Sequence, residues 1–325
     1  MRRFFIALFP LLLGQCIDGS VPAAITPAPD QRLQIESAPV MLDASHPDRR
    51  RIGALTFLGG WSLTSETRGF GTMSAIDVNG DQVTALGDNG SIIRFRLGRF
   101  GNISDAEVFR VPHTCGTVVS KHDNDTEALT HAPDRQTWWI SYEWRNRICR
   151  TNDDISAAEM TVEPASIAAW PRKNGAETML RLSDGRFLII AEDVKSGRDP
   201  VRAVLFDRDP TDPEAKAALF GFRPPEGYRP VDATQLPDGR ILVLNRRFAL
   251  PALFTSKIVL VDAIGTEVPA ILEGRTIATF AAPAITDNFE GITVEEVNGQ
   301  TIIWLVSDDN LMRWQRTLLL KFKLS

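Results

Sequence analysis

The chain has 325 residues, 43% hydrophobic and 24% charged, with a formal net charge of −5. That is an ordinary globular composition, long enough for one large domain or two modest ones. Mild acidity gives no sign of a nucleic-acid partner, which would show as a basic surplus, and is compatible with a cationic or metal-bridged ligand.

The N-terminus reads as an export signal. Arg2 and Arg3 precede the apolar run Phe4–Leu13, too short for the ~20 residues of a bilayer-spanning helix. Small residues at Val21–Ala24 suit cleavage. Residues 1–23 are therefore read as a signal peptide, 24–50 as a flexible lead-in and 51–325 as one domain, in a periplasmic or secreted protein. "LLGQC" resembles a bacterial lipobox ending at Cys16, with Gln15 departing from it, so a lipid anchor there is the alternative to a free protein. No later segment is long and apolar enough to cross a membrane. Export leaves Cys115 and Cys149 as an even pair in an oxidising compartment, which points to a structural disulfide.

Beyond the leader one pattern recurs. Its copies are "GFGTMSAIDVNGDQVTALGDNG" from Gly69, "NDTEALTHAPDRQTWWISYEW" from Asn124, "GAETMLRLSDGRFLIIAED" from Gly175, "RPVDATQLPDGRILVLNRRF" from Arg229 and "DNFEGITVEEVNGQTIIWLVSDDN" from Asp287. Each holds a polar residue, an apolar run, a turn, a second apolar run and a polar cluster. The turns begin at Asn79, Asp134, Asp184, Asp238 and Asn298; Asn-Gly and Asp-Gly between alternating runs signal a hairpin because both residues tolerate positive φ. Further strands follow in "SIIRFRL", "RAVLFD", "KIVLVD" and "TLLLKFKL". Helical periodicity is scarce, Asp212–Phe220 being a weak candidate.

Successive turns lie roughly 50 to 60 residues apart, the scale of one four-stranded blade. The strand-like Ile52–Leu63 would complete a ring beside "TLLLKFKL" and remove exposed edges. The expected fold is an all-β propeller of about six blades, with five as the runner-up, closed by N- and C-terminal strands. A β-sandwich would explain the hairpins but not a fixed repeat with matching polar ends.

In a hairpin, the residue before the first strand and the residue after the second lie at the same end. In a propeller that end rims the central channel. Asp125, Glu127, Glu177, Asp232, Asp287 and Glu290 before first strands should therefore converge with Asp88, Glu143, Glu192, Asp193, Asp308 and Asp309 after second strands. Asp88, Glu143 and Asp193 each stand eight residues past the second turn residue, and Asp308 nine. Asn89, Asn245, Asn310, Arg68, Arg145, Arg246, Arg247 and Arg313 are interspersed. Such oxygens suit calcium, which takes about six to eight. Arginines beside them suit a phosphate or carboxylate. A metal would activate water and polarise an ester, and a free carboxylate would serve as general base. The competing structural reading is that Asp and Asn at strand ends form turns and cap backbone groups.

No G-x-S-x-G, H-E-x-x-H or P-loop occurs. His46, His113, His122 and His131 are too scattered for a zinc site, although His122 lies near Asp123 and Asp125; Lys257 reads as a solvated lysine. Trp138, Trp139 and Trp304 in second strands should pack between blades, and Trp314 should line a pocket.

The stretches "LGGWSL", "GFGTMSAI", "LPDGRILVLNRRF" and "DNFEGI…WLVSDDN…QRTLLLKF" together resemble the bacterial "esterase-like activity of phytase" family, from about Gly53 to the C-terminus. The resemblance implies an exported protein whose acidic residues act on phosphoesters. It carries over onto Asp88, Glu127, Asp232, Arg246, Arg247, Glu290, Asp308 and Asp309. Two positions depart from it: Asn245 stands where a glutamate is expected, and Asp88-Asn89 where an acidic–arginine pair is expected. The dense basic set that a highly phosphorylated substrate would need is not evident. The leading reading is a calcium-assisted hydrolase of small phosphoric or carboxylic esters. In it Asp88, Asp308 and Asp309 bind the ion, Glu127, Glu290 and Asp232 form the catalytic set, and Arg246 and Arg247 hold the anion. The rivals are a non-catalytic envelope propeller that binds a ligand or protein, and a lactonase-like propeller enzyme.

Overall fold

The computed structural model describes residues 31–116, 124–192 and 199–325. Its first 30 residues, with the expected signal peptide and Cys16, lie outside that range, as do His122 and Asp193.

Five sheets surround one axis, antiparallel except that the two-residue strand Ile271–Leu272 adds in parallel to the rim of the third. From axis to rim, the first blade is Met73–Asn79, Gln82–Gly87, Ser91–Leu97 and Ile103–Arg110. The second is Thr126–His131, Thr137–Tyr142, Arg147–Asn152 and Ala158–Val162. The third is Ala176–Arg181, Phe187–Ala191, Val201–Phe206 and Ala217–Phe222. The fourth is Arg229–Gln235, Ile241–Ala249, Leu253–Val261 and Gly274–Phe280. The fifth is Phe289–Val297, Gln300–Ser307 and Thr317–Leu324, to which the N-terminal strand Leu55–Thr64 adds as the fourth. The innermost strands touch in cyclic order, the fifth returning to the first, so the ring is closed.

The propeller thus has five blades. Leu55–Thr64, which suggested a sixth, instead pairs along the whole of Thr317–Leu324. That pairing satisfies the free edge each chain end would otherwise leave. The described part of the expected flexible lead-in is also paired. Gln31–Arg32 adds to the rim of the first blade and Glu36–Pro39 to that of the fifth, so this segment straps the closing boundary. Asp212–Phe220 is not helical. It enters the outer strand Ala217–Phe222, which pairs residue for residue with Val201–Phe206, and that sheet edge overrides weak helical spacing.

The hairpin turns form where Asn and Gly place them. Asn298 and Gly299 both have positive φ, 52° and 71°, the primed turn whose twist matches the strands. Middle strands such as Phe187–Ala191 are buried on both faces, and five apolar clusters fill the spaces between successive blades. The three second-strand tryptophans join these clusters; Trp139 meets Phe187 edge-on at 5.0 Å and Trp304 stacks on Trp61 at 6.4 Å. Cys115 and Cys149 are disulfide-bonded, tying the connection after the first blade to the third strand of the second. Among the described residues no helix is long and apolar enough to cross a membrane.

Candidate active site

Backbone pairing identifies the equivalent positions around the ring. After the second strand, the amide of Asp88 donates to the Thr72 carbonyl, Glu143 to Asp125, Glu192 to Gly175 and Asp308 to Asn288. In the fourth blade Arg246 pairs with Arg229 at the matching place. Four carboxylates and one guanidinium therefore occupy the five equivalent sites. Counting from the turn had pointed to Asp193; Glu192 stands there instead, because the turn Leu182–Arg186 closes one residue sooner than Ala132–Thr137.

A second set comes from the innermost strands. In every blade the register of the first two strands slips near this same end. The extra residue is Ser74, Glu177, Val231 and Glu290 in the first, third, fourth and fifth blades, and Glu127 begins the bulged pair of the second. A bulge re-aims a side chain. Here it brings three glutamates together at the channel mouth. Glu127 is pushed well above the usual carboxylate range by burial, reinforced by Asp125, Glu143, Glu290 and Asp88. Glu177 is pushed up by burial and by Glu127, Glu192 and Glu143. Burial, Glu290 and Asp88 do the same to Asp308. Carboxylates far apart in the chain thus share one electrostatic neighbourhood.

Arg246 is the cation of this ring. It donates to Asn288 Oδ1 at 2.7 Å, to Glu192 Oε1 at 2.9 Å and to Glu290 Oε1. Burial disfavours its charge, but Glu290, Glu192 and Glu177 outweigh that and hold the guanidinium protonated. Burial pushes Glu290 up to about 7; Arg246 and the Asn288 amide pull down, and Glu192 and Asp88 add to the rise. Asn174 clamps the neighbouring pair, donating its backbone amide to Glu143 and its side-chain amide to Glu192.

Other expected residues sit differently. Asp232 stands one place past the bulge, and Val231 takes the glutamate position. Its carboxylate accepts the amides of Ala233 and Ile292, each at 2.8 Å, and so laces the fourth blade to the fifth. Asp309 accepts the Thr72 amide at 3.2 Å, the Leu311 amide at 3.0 Å and the Thr317 hydroxyl at 2.9 Å, bracing the fifth blade against the first. A Cβ at Gly71 would come within 2.8 Å of this carboxylate, which is why glycine, at φ 103°, stands there. Asn245 is wholly buried, its amide on the Val243 carbonyl at 2.9 Å. His131 lies toward the channel's other end with Asp77 and Arg135, and Lys257 lies over the Tyr228 ring at 4.7 Å.

Among the described residues, the carboxylates close enough to share one ion are Asp125–Glu127–Glu143 and Glu143–Glu177–Glu192, their oxygens all within 4.8 Å of one another in each set. Asp88, Asp308 and Asp309, expected as the metal ligands, belong to neither set. An all-oxygen donor set of this charge fits a hard cation such as calcium. Beside it opens a cleft of about 610 Å³ that reaches Glu192 and Arg246 and carries Arg229, Arg247, Phe254 and Trp314 on its walls. The sequence singles out Trp314 and Arg247 but not Arg229, which opens the fourth repeat without being a carboxylate, nor Phe254, which lies beyond the inner hairpin.

Fold and mouth together define a five-bladed propeller with an acidic, arginine-bearing channel entrance. Residues 68–311 match the family model described as phytase-like, esterase-like activity of phytase, and the chain belongs to that family. Similar solved structures include an alpha-L-arabinofuranosidase from Podospora anserina in complex with cellotriose, at 11% identity over 90% of this chain and 98% of that one, TM-score 0.49. An exo-1,5-alpha-L-arabinanase from a bovine ruminal metagenomic library matches at 11% identity over 78% and 93%, TM-score 0.47. The PQQ domain of a pyranose dehydrogenase from Coprinopsis cinerea matches at 10% identity over 90% and 98%, TM-score 0.44. These likenesses carry nothing about activity. A comparison with curated proteins returns no match.

Proposed function

We propose that the chain is an exported, calcium-assisted hydrolase of small anionic esters, phosphoric or carboxylic. The observation that carries this reading is the gathering of bulge glutamates and strand-end carboxylates from four blades around one arginine. Glu290, titrating near 7, is suited to take a proton from water at neutral pH and return it to the leaving oxygen. Arg246 and Asn288 hold that carboxylate in place. Arg246 is held between Glu192 and Glu290, so the substrate anion falls to Arg247 on the open cleft, with Arg229 beside it, more exposed than Arg246 and paired, among the described residues, to Glu192 alone. Asp125, Glu127, Glu143, Glu177 and Glu192 are the residues that would hold calcium. When bound there it would supply Lewis acidity toward the ester oxygen and relieve the mutual repulsion of these groups. The disulfide supports export to an oxidising compartment.

The test is turnover of p-nitrophenyl phosphate and p-nitrophenyl acetate with calcium and with chelator. Calcium-dependent cleavage that Glu290→Gln abolishes is expected. No turnover of any ester under either condition would leave a ligand-binding propeller as the better account.

A further inference from the structure

The cleft beside the carboxylates has a chemistry of its own. Phe254 and Trp314 lie nearly parallel, with ring centres 6.1 Å apart and an interplanar angle of 18°. Phe248 meets Phe254 at 4.9 Å. Phe248, Met312 and Trp314 are nonetheless 58%, 48% and 54% exposed, a costly display of apolar surface at a channel entrance. The nearby amides are turned to each other or to sulfur: Asn310 donates to Gln315 at 2.8 Å, and Gln315 lies 3.6 Å from the Met312 sulfur. This wall therefore offers ring faces and few free donors for hydroxyl groups. At the other side Arg247 lies over Tyr228 at 6.0 Å, and Arg229 reaches Glu192 at 3.5 Å.

We infer that this cleft is a subsite for a flat aromatic ring, so that the substrate is an aryl ester: its anionic acid part lies against Arg247 and Arg229, and its alcohol part stacks on Trp314 and Phe254. The inference rests on the hydrolase reading only for the place of the reacting bond, where the cleft meets Glu192 and Arg246. A sugar would find the same ring faces, but on that wall the Asn310 and Gln315 amides are turned to each other and to the Met312 sulfur rather than to its hydroxyls.

Calorimetric titration with phosphonates, which are not hydrolysed as esters, separates this subsite from catalysis. Phenylphosphonate should bind about tenfold more tightly than methylphosphonate, the worth of one aromatic contact. Trp314→Ala should erase that preference and Trp314→Phe should keep most of it, with circular dichroism confirming that both variants fold. Equal affinities for the two phosphonates in the wild-type protein, a preference that survives Trp314→Ala, or tighter binding of a glucose-derived phosphonate than of phenylphosphonate would overturn the inference. A tenfold preference in a protein that cleaves no ester would sink the hydrolase reading and leave the ring subsite standing.

Discussion

Glu290 carries most of the chemical weight among single residues. It lies on a bulge, it is buried, and one guanidinium keeps it from being simply neutral. Glu290→Gln should lower kcat by about 10²–10⁴-fold, the usual worth of a general acid–base group, and remove an acid limb near pH 7 from the rate profile. Asp309 tests the opposite assignment. Asp309→Ala leaves two backbone amides and a hydroxyl without their acceptor, so urea unfolding should show a loss of about 2 kcal/mol while calcium affinity stays unchanged. Loss of calcium affinity at unchanged stability would return Asp309 to the ligand set. Sequence placed both residues correctly at the end of the fifth blade's hairpin but could not separate their roles. Which carboxylates face the mouth depends on a one-residue register slip that leaves no mark in composition. That is why Asp232 is grouped with Glu127 and Glu290 in the sequence, while the eight-residue count reaches Asp193 rather than Glu192 because the third blade's turn is one residue shorter.

Strands and turns were far more legible. Asn-Gly and Asp-Gly pairs, with apolar runs on either side, located four of the five inner hairpins, and Asp134-Arg135, with Arg135 at φ 57°, the fifth, because positive φ is a local demand that few residues meet. The number of blades was not local. Leu55–Thr64 reads as a strand under either count, and only its partner, more than 250 residues away, decides between them. The same pairing makes the N-terminal strap essential. A chain beginning at residue 66 would lose Leu55–Thr64 and expose the edge of Thr317–Leu324, and size-exclusion chromatography should find it aggregated rather than monomeric. The disulfide closes a loop of sequence separation 34, worth about 3–4 kcal/mol in the chain-entropy account. Cys149→Ser should therefore lower the urea midpoint without altering the ester preference.

At the scale of the molecule, the propeller holds like charges together against their own repulsion. Glu290 is raised from 4.5 to about 7, and Glu127, Glu177, Asp232 and Asp308 are raised as well. A carboxyl raised on folding favours the folded state at low pH, and that contribution is lost as pH rises through its folded value. Asp77 is shifted the other way, but its contribution is lost only below the ordinary value of 3.8. Chelator-treated protein should thus lose Tm as pH rises from 4.5 to about 7, and calcium should restore it at pH 7.5 more than at pH 5. A flat Tm over that interval would mean the charges are already compensated within the ring.

Isothermal titration of the chelator-treated protein with calcium, beside Glu143→Gln and Glu177→Gln, tests the central claim most directly. The account predicts one saturable ion in the wild-type protein and at least tenfold weaker binding in each variant, since Glu143 belongs to both ion-sized groups and Glu177 to one. No heat of binding, or affinity untouched by either substitution, would contradict it.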